Sequence, residues 1–597
     1  MAGLDRSLEA FYPRPLLAIY GTCLDTPARL DIVVNAAAMS RRNSSVVAVD
    51  PEQARRLSLA VPDLKRVAHD ASKATQSEQH MTLRQGVNLY PKAIAWSVLL
   101  SAAIIMEGFD KVLIANLMAV PAFKRKFGVE LPGGDWQLTA AWQAGLTNGA
   151  YVGECAGLLL NGIIADRFGY KKTMIGALFA VNLFIFVVFF AQNIVMLLCG
   201  LILCGIPWGV FQTLTCTYAA EVVPVPLRPI LTTYVNLCWV IGQFLASGVL
   251  KGVAEIPDQW AYRIPYALQW IWPIPLMIGI SFAPESPWWL VRKGRCEEAK
   301  RMLMRLTSPE KLPDFNADET IAMMRHTNAM EMAVSEGTSY LDCFKGTDLR
   351  RTEIAAMAWF TQAFCGAGLI GYSTYFFQQA GLSDSNAFSM SLGQYAIGGV
   401  GVMVAWILIQ RVGRRTLYVV GDLVMVGLLC IIGGLGTIHK GNVSAQWGIG
   451  SMLLLFAAAY NCTVGPVCYS IVAEIPSTRL RQKTVVLARN FYNLGSIIGN
   501  VITPRMLNPG AWNWGAKSGF FYAGTCFCCF LWALFRLPEP KGRTYGELDV
   551  LFERRIPARK FRTTVVEGFG GSDSESMFVE KKGVSTHLEQ ISSKDAV

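Results

Sequence analysis

YVGECAGLLLNGIIADRFGYKK, Tyr151 to Lys172, is an apolar helical stretch with one carboxylate, Glu154, near its start and a tight basic turn at its end. A carboxylate inside a membrane span is costly unless it is protonated, paired or facing water, so Glu154 marks a functional position. The turn holds Asp166, Arg167, Gly169, Lys171 and Lys172 in a bend too short to be a domain. Basic residues collect in this way in the cytoplasmic loops of membrane proteins. The same frame returns at Tyr395 to Thr416, YAIGGVGVMVAWILIQRVGRRT, with Tyr151/Tyr395, Gly157/Gly401, Arg167/Arg411 and Gly169/Gly413 in register. Gly398 stands where the first copy has Glu154, so two halves share a scaffold and only one keeps the acid.

Composition agrees with a polytopic membrane protein. The 597 residues are 52% hydrophobic and only 16% charged, too apolar for a soluble core of that length. The net charge of +11 is spread over short turns between apolar stretches and not over one amphipathic face, which argues against a nucleic-acid partner. The fifteen cysteines lie mostly inside apolar stretches and show neither a disulfide framework nor zinc spacing. With no Walker loop, dinucleotide glycine pattern or metal-spaced cluster, the sequence predicts no enzyme site, no cofactor and no metal. Energy for any transport then comes from ion gradients.

Residues 1–92 read as a polar cytoplasmic tail, 93–283 as a first six-helix half, 284–352 as a charged helical linker, 353–538 as a second six-helix half and 539–597 as a second tail. The twelve expected spans fall near 93–119, 139–164, 173–190, 194–217, 232–250 and 264–283, then 354–378, 388–408, 417–438, 447–471, 485–504 and 517–537. Each has the length that a hydrocarbon core of about 30 Å demands. Arg and Lys on alternate loops put the linker and both termini inside. The repeat extends further: Glu221 and Arg228 recur as Glu474 and Arg481, and Pro284-Glu285 recurs as Pro538-Glu539. Six plus six with repeated charged turns predicts an all-α membrane protein of the major facilitator fold, with its substrate site between the halves.

Chemistry concentrates in span one. Glu107 and Asp110 are three residues apart on one helical face, and Glu154 lies on the next span. Three carboxylates in apolar surroundings resist ionisation together, so at least one holds a proton near neutral pH, which a proton carrier requires. Arg489, well inside span eleven, needs an anion or water and could release that proton in one state.

ADRFGYKK with RVGRR, YAAEVVPVPLR at Tyr218, AEIPSTRLR at Ala473, PESPWWLVRKGR at Pro284 and PEPKGRT at Pro538 together resemble the signature set of the sugar porter family. MEGFD at Met106, GIPWGVFQTL at Gly205 and GYSTYFFQQAG at Gly371 resemble the fungal maltose and α-glucoside proton symporters within it. The resemblance implies proton-coupled import of α-glucosides by alternating access, in a monomer at the plasma membrane, with sugar, proton and the lipid bilayer as partners. It implies Glu107, Asp110, Glu154 and Arg489 as the coupling set, and Asn236, Gln243, Gln362, Tyr469 and Asn493 as sugar contacts. It assigns Asp166, Arg167, Glu221, Arg228, Glu285, Arg411, Glu474, Arg481 and Glu539 to inner salt bridges that hold the outward-open state.

Three departures from hexose-type porters stand out: Thr361, Gln362 and Ala367 in span seven, Tyr469 in place of the usual Trp, and Leu201 where span four usually buries an Arg. The last removes the hexose-type Asp–Arg coupling pair. A passive hexose facilitator and a non-transporting sugar sensor remain as alternatives. The tail after 539 is short for a sensor, and its GSDSES at Gly571 reads as a phosphorylation signal or a solvated end.

Overall fold

The computed structural model describes residues 81–130, 136–224, 226–311, 315–335, 340–438, 442–477, 480–541 and 551–564 apart from 553, with scattered positions between 67 and 77 and at 548. The tail before residue 67 and the GSDSES stretch lie outside the described residues.

Twelve spans form two sets of six. The first set is Pro91–Ser101 continued by Ala103–Leu117, then Ala140–Phe168, Tyr170–Phe189, Ile194–Val222, Arg228–Val253, and Trp260–Leu268 continued by Pro273–Ser281. The second is Gly346–Gln362 continued to Gln379, then Asp384–Arg411, Arg414–Leu435, Val443–Cys462 continued by Val464–Glu474, Arg481–Leu507 and Ser518–Arg536. Eight of the spans qualify to cross a membrane by length and apolarity alone. The other four are spans one and six, which are broken, and spans two and eleven, which carry polar residues such as Glu154 and Arg489. Between the sets, Pro287–Arg292, Cys296–Leu306 and Ala317–Ser335 form the helical linker, tied to the short helix Leu83–Leu89 just before span one by Ser308 N donating to Leu89 O (2.7 Å).

Glycine determines how close the helices come. A Cβ on Gly153 or Gly157 of span two would stand 2.1 or 2.0 Å from the Ile202 or Ile206 carbonyl of span four, and Gly205 and Gly209 return the same contact. This small-residue seam brings the backbones together where no water-driven force does so. It also seats the Glu154 backbone directly against span four. Span one meets span five in the same way, through Gly108 against the Trp239 carbonyl and Gly242 against the Ile105 carbonyl.

Span seven widens to a π-turn at Ala363–Ala367, where Gly366 adopts φ +107°. Span ten breaks at Thr463, just before Gly465 and Pro466. Irregular backbone at membrane depth is tolerated where it lines a cavity, and both breaks fall there.

The two halves meet along spans two and eleven, five and eight, and five and ten. On the side away from the linker they are bonded together. Gln137 donates to Tyr375 Oη (2.6 Å), Thr147 and Tyr372 share a hydrogen bond (2.7 Å), and Asn508 donates to the Leu138 carbonyl (3.0 Å). The molecule is therefore closed on that side.

Candidate functional site

A cavity of about 170 Å³ lies between the halves, lined from spans one, two, five, seven, ten and eleven. Asn236, Gln243, Gln362 and Tyr469 line it, as do Lys111, Tyr151, Trp239, Tyr372, Arg489, Tyr492 and Asn500. Asn493 does not; it is buried beside span two with its amide donating to Cys155 Sγ (3.7 Å). Gln362 uses its amide nitrogen on the Gly465 carbonyl (2.8 Å), at the break in span ten, so its oxygen is the group left for a ligand. The Asn236 and Asn500 amide nitrogens have no hydrogen-bond partner among the described residues. Buried donors of this kind cost free energy until a ligand or water accepts from them.

Behind the cavity stands the acid cluster. Glu107, Asp110 and Glu154 are all buried. Gln212 of span four donates to Glu107 Oε1, while its own Oε1 accepts from Arg489 Nε (2.7 Å), so one amide joins an acid of the first half to the cation of the second. The Arg489 guanidinium also lies 4.3 Å over the Trp359 ring and 4.4 Å from that of Tyr492. It faces inward and does not reach for the membrane edge. Lys111 Nζ contacts Glu154 Oε1 at 2.5 Å and sits 3.4 Å over the Tyr151 ring. Neither Asp110 oxygen has a hydrogen-bond partner among the described residues.

The sequence reading did not single out Lys111, Gln212 or Asn500, nor Asp422, a fully buried acid of span nine with both oxygens unpartnered among the described residues. Lys111 directly follows MEGFD, and a cation inside a span was a readable signal. Gln212 and Asn500 are neutral amides in apolar spans and carry no such mark.

On the linker side the charged turns form two similar sets. Glu285 accepts from the backbone N–H of Tyr170 (3.0 Å) and Ser286 (3.1 Å), and Glu539 accepts from Arg414 (2.8 Å) and Arg415 (3.1 Å). Each carboxylate thus caps the N-terminus of a span, where the helix dipole favours negative charge. Burial nevertheless pushes the Glu285 carboxyl above its ordinary value, with the N–H donors working the other way. Glu221 pairs with Arg292 of the linker (2.7 Å), and Glu474 pairs with Arg414 (3.0 Å). Arg228 Nε has no hydrogen-bond partner among the described residues, and the Arg481 side chain lies outside them. Asp166, Arg167 and Arg411 are exposed, the first accepting through its carbonyl from Trp289 (3.2 Å) and the last through its carbonyl from Lys541 (2.9 Å).

The sugar (and other) transporter family matches residues 96–552. The general alpha-glucoside permease of Saccharomyces cerevisiae strain CEN.PK113-7D is 44% identical over 505 residues, 84% of this chain and 82% of that protein. Maltose permease MAL31 of S. cerevisiae strain S288c is 42% identical over 537 residues, 89% and 87% of the two chains. Among solved structures, the proton:xylose symporter XylE bound to 6-bromo-6-deoxy-D-glucose superposes with a TM-score of 0.63 at 21% identity, covering 78% of this chain and 99% of that one. The inward open conformation of XylE from E. coli gives 0.61 at 19% identity, covering 77% and 99%.

Proposed function

The chain belongs to the sugar (and other) transporter family, and we propose that it imports α-glucosides of the maltose type together with protons, by alternating access. One observation carries the reading: a cavity lined by amides and aromatic faces lies beside three buried carboxylates carried by two of its own lining spans, and the Glu107–Gln212–Arg489 chain connects the two halves there. Sugar hydroxyls need amides to replace water, and sugar C–H faces need aromatic rings. The names of the S. cerevisiae permeases support the substrate class.

In this reading the linker and both termini face the cytoplasm and the protein works at the plasma membrane. A single copy suffices, since one chain encloses the cavity. A proton entering from outside settles on the cluster of Glu107, Asp110 and Glu154, and sugar then binds among Asn236, Gln243, Gln362 and Tyr469. Asn493 supports span two behind them through Cys155. The halves rock, the bonds from Gln137 and Thr147 close the outer side, and both cargoes leave past the linker. We assign Glu221, Glu285, Glu474 and Glu539, with Asp166, Arg167, Arg228, Arg411 and Arg481, to the inner gate, whose Glu221–Arg292 and Glu474–Arg414 pairs are already formed in this outwardly closed state. A proton crossing the membrane supplies about 2.3 kcal/mol per 100 mV, enough for more than tenfold accumulation.

The test is uptake of labelled maltose and glucose by a transporter-deficient yeast expressing the chain, with external pH recorded, for the wild type and Glu154→Gln. Maltose entry with alkalinisation, and loss of accumulation in the variant, is the expected result. Glucose entry without proton movement would make the protein a passive facilitator, and no uptake of either sugar would favour a sensor.

A further inference from the structure

Of the five acidic and basic side chains of the cluster, only the two cations, Lys111 and Arg489, line the cavity. The carboxylates stand behind them. Sugar in the cavity therefore meets the acids through a cation, and Lys111 is the more direct of the two. Its Nζ is 2.5 Å from Glu154 Oε1 and 3.4 Å from the centre of the Tyr151 ring, one helical turn before Glu154 on the same face. Asp110, its neighbour in sequence, turns the other way and keeps both oxygens unpartnered among the described residues.

The groups around each acid define the choice. Asp110 faces Glu107 on its own helix, Cys204 on span four and Tyr266 on span six. Glu107 faces Glu154, Lys111, Gln212, Cys216 and Arg489. Glu154 faces Lys111, Tyr151, Cys155 and, from span eleven, Arg489. Of the three acids, Glu154 alone has an ammonium in direct contact.

We infer that Lys111 is a positioning residue of the acid cluster: at the cavity wall its ammonium pairs with the Glu154 carboxylate and leaves the transported proton to Glu107 and Asp110. An ammonium has three donor hydrogens. It can hold Glu154 and still offer hydrogens to sugar hydroxyls at the cavity wall. This rests on the symport reading above and assigns the proton within it.

The experiment is maltose accumulation and sugar-induced alkalinisation, normalised to transporter at the cell surface, for wild type, Lys111→Met, Lys111→Arg, Glu154→Gln and the double variant Lys111→Met with Glu154→Gln. Glu154→Gln leaves a buried cation that expels the proton from Glu107 and Asp110, so accumulation is lost. The double variant removes both charges and recovers accumulation, because a pair removed together costs far less than one partner left alone. Lys111→Met leaves Glu154 a buried acid without its cation and changes the ratio of protons to maltose, while Lys111→Arg keeps the ratio. A double variant as inactive as Glu154→Gln would make Glu154 itself the carrier and overturn the inference, as would a Lys111→Met variant with the wild-type proton-to-sugar ratio. If wild-type maltose uptake itself proceeds without alkalinisation, the symport reading fails first. The double variant, neutral at both positions, serves as the folding control for each single one.

Discussion

The turn at Gly169 and the turn at Gly413 hold their carboxylates alike, and the spans leading into them do not. In both, a side chain on the glycine would strike the capping acid, with a Cβ 2.5 Å from Glu285 Oε2 in the first half and 2.0 Å from Glu539 Oε2 in the second. Gly169 also needs its left-handed φ of +88°, whereas Gly413, at φ −73°, is glycine for space alone. Farther into the membrane the halves part. Span two presents Glu154 to Lys111, while the same position of span eight, Gly398, leaves room for the Asn461 amide, 2.9 Å from where a Cβ would stand. The repeat keeps the capping acids at the linker side and divides the interior: Glu107, Asp110 and Glu154 are buried in the first half, while the cavity takes its amides from both, Asn236 and Gln243 from the first and Gln362, Asn461 and Asn500 from the second. Asn461 itself lines the cavity.

The largest expected effect tests the packing side of this contrast. Gly157→Ala puts a methyl 2.0 Å from a backbone carbonyl, but at the equivalent Gly401 the nearest atoms are the Asn461 Cβ at 3.1 Å and the Ala458 carbonyl at 3.3 Å. Gly157→Ala is expected to abolish most folded transporter, at an overpacking cost of about 3 kcal/mol or more, while Gly401→Ala keeps most of it. Fluorescence-detected size exclusion of tagged protein in detergent measures both. Equal yields would mean that the two seams are packed alike.

A smaller effect concerns the caps. Glu539→Gln removes a charge from a helix N-terminus and should cost up to about 1 kcal/mol, read as a drop in melting temperature, while Glu285→Gln should cost less, because burial already favours the neutral form there. Their pH behaviour sharpens the comparison. Because burial raises the Glu285 carboxyl, the folded protein binds this proton more tightly than the unfolded chain does. Its contribution to stability is complete below the ordinary carboxylate value and is lost as pH rises through the raised one. Melting curves between about pH 4 and 7 should therefore slope down more steeply in wild type than in Glu285→Gln. Parallel slopes would exclude this titration.

The smallest expected effect is none. Asp422, on span nine, is the buried acid of the second half, and it has no hydrogen-bond partner or cation in contact among the described residues. If proton chemistry belongs to the first half, Asp422→Asn leaves the ratio of protons to maltose unchanged. A changed ratio would place a second proton site opposite the first.

Span positions, the repeat and the acid cluster could be read from sequence because each is a local pattern: a run of apolar residues, a recurring turn, a charge where none is cheap. Partners could not. Glu221 and Arg228 are close in sequence, but span four ends at Val222 and the chain turns before Arg228 opens span five, so the cation that reaches Glu221 is Arg292 of the linker. Lys111 was visible beside MEGFD, yet only the crossing of spans one and two shows that it grips Glu154 and not Asp110. Asn493 carried the right chemistry for a sugar contact, but the rotation of about 100° from Tyr492, which lines the cavity, brings it to Cys155 instead.

The π-turn in span seven amounts to one residue more than an even helix would use. Each residue rotates a helix by about 100°. That single extra residue between Gln362 and Gly368 therefore sets which way Tyr372 and Tyr375 look, and with them the bonds to Thr147 and Gln137 that shut the far side. In genetic terms, a three-base deletion between codons 363 and 367 would turn the whole upper segment by more than a quarter of a circle while leaving every codon beyond it intact, and the door would no longer face its frame.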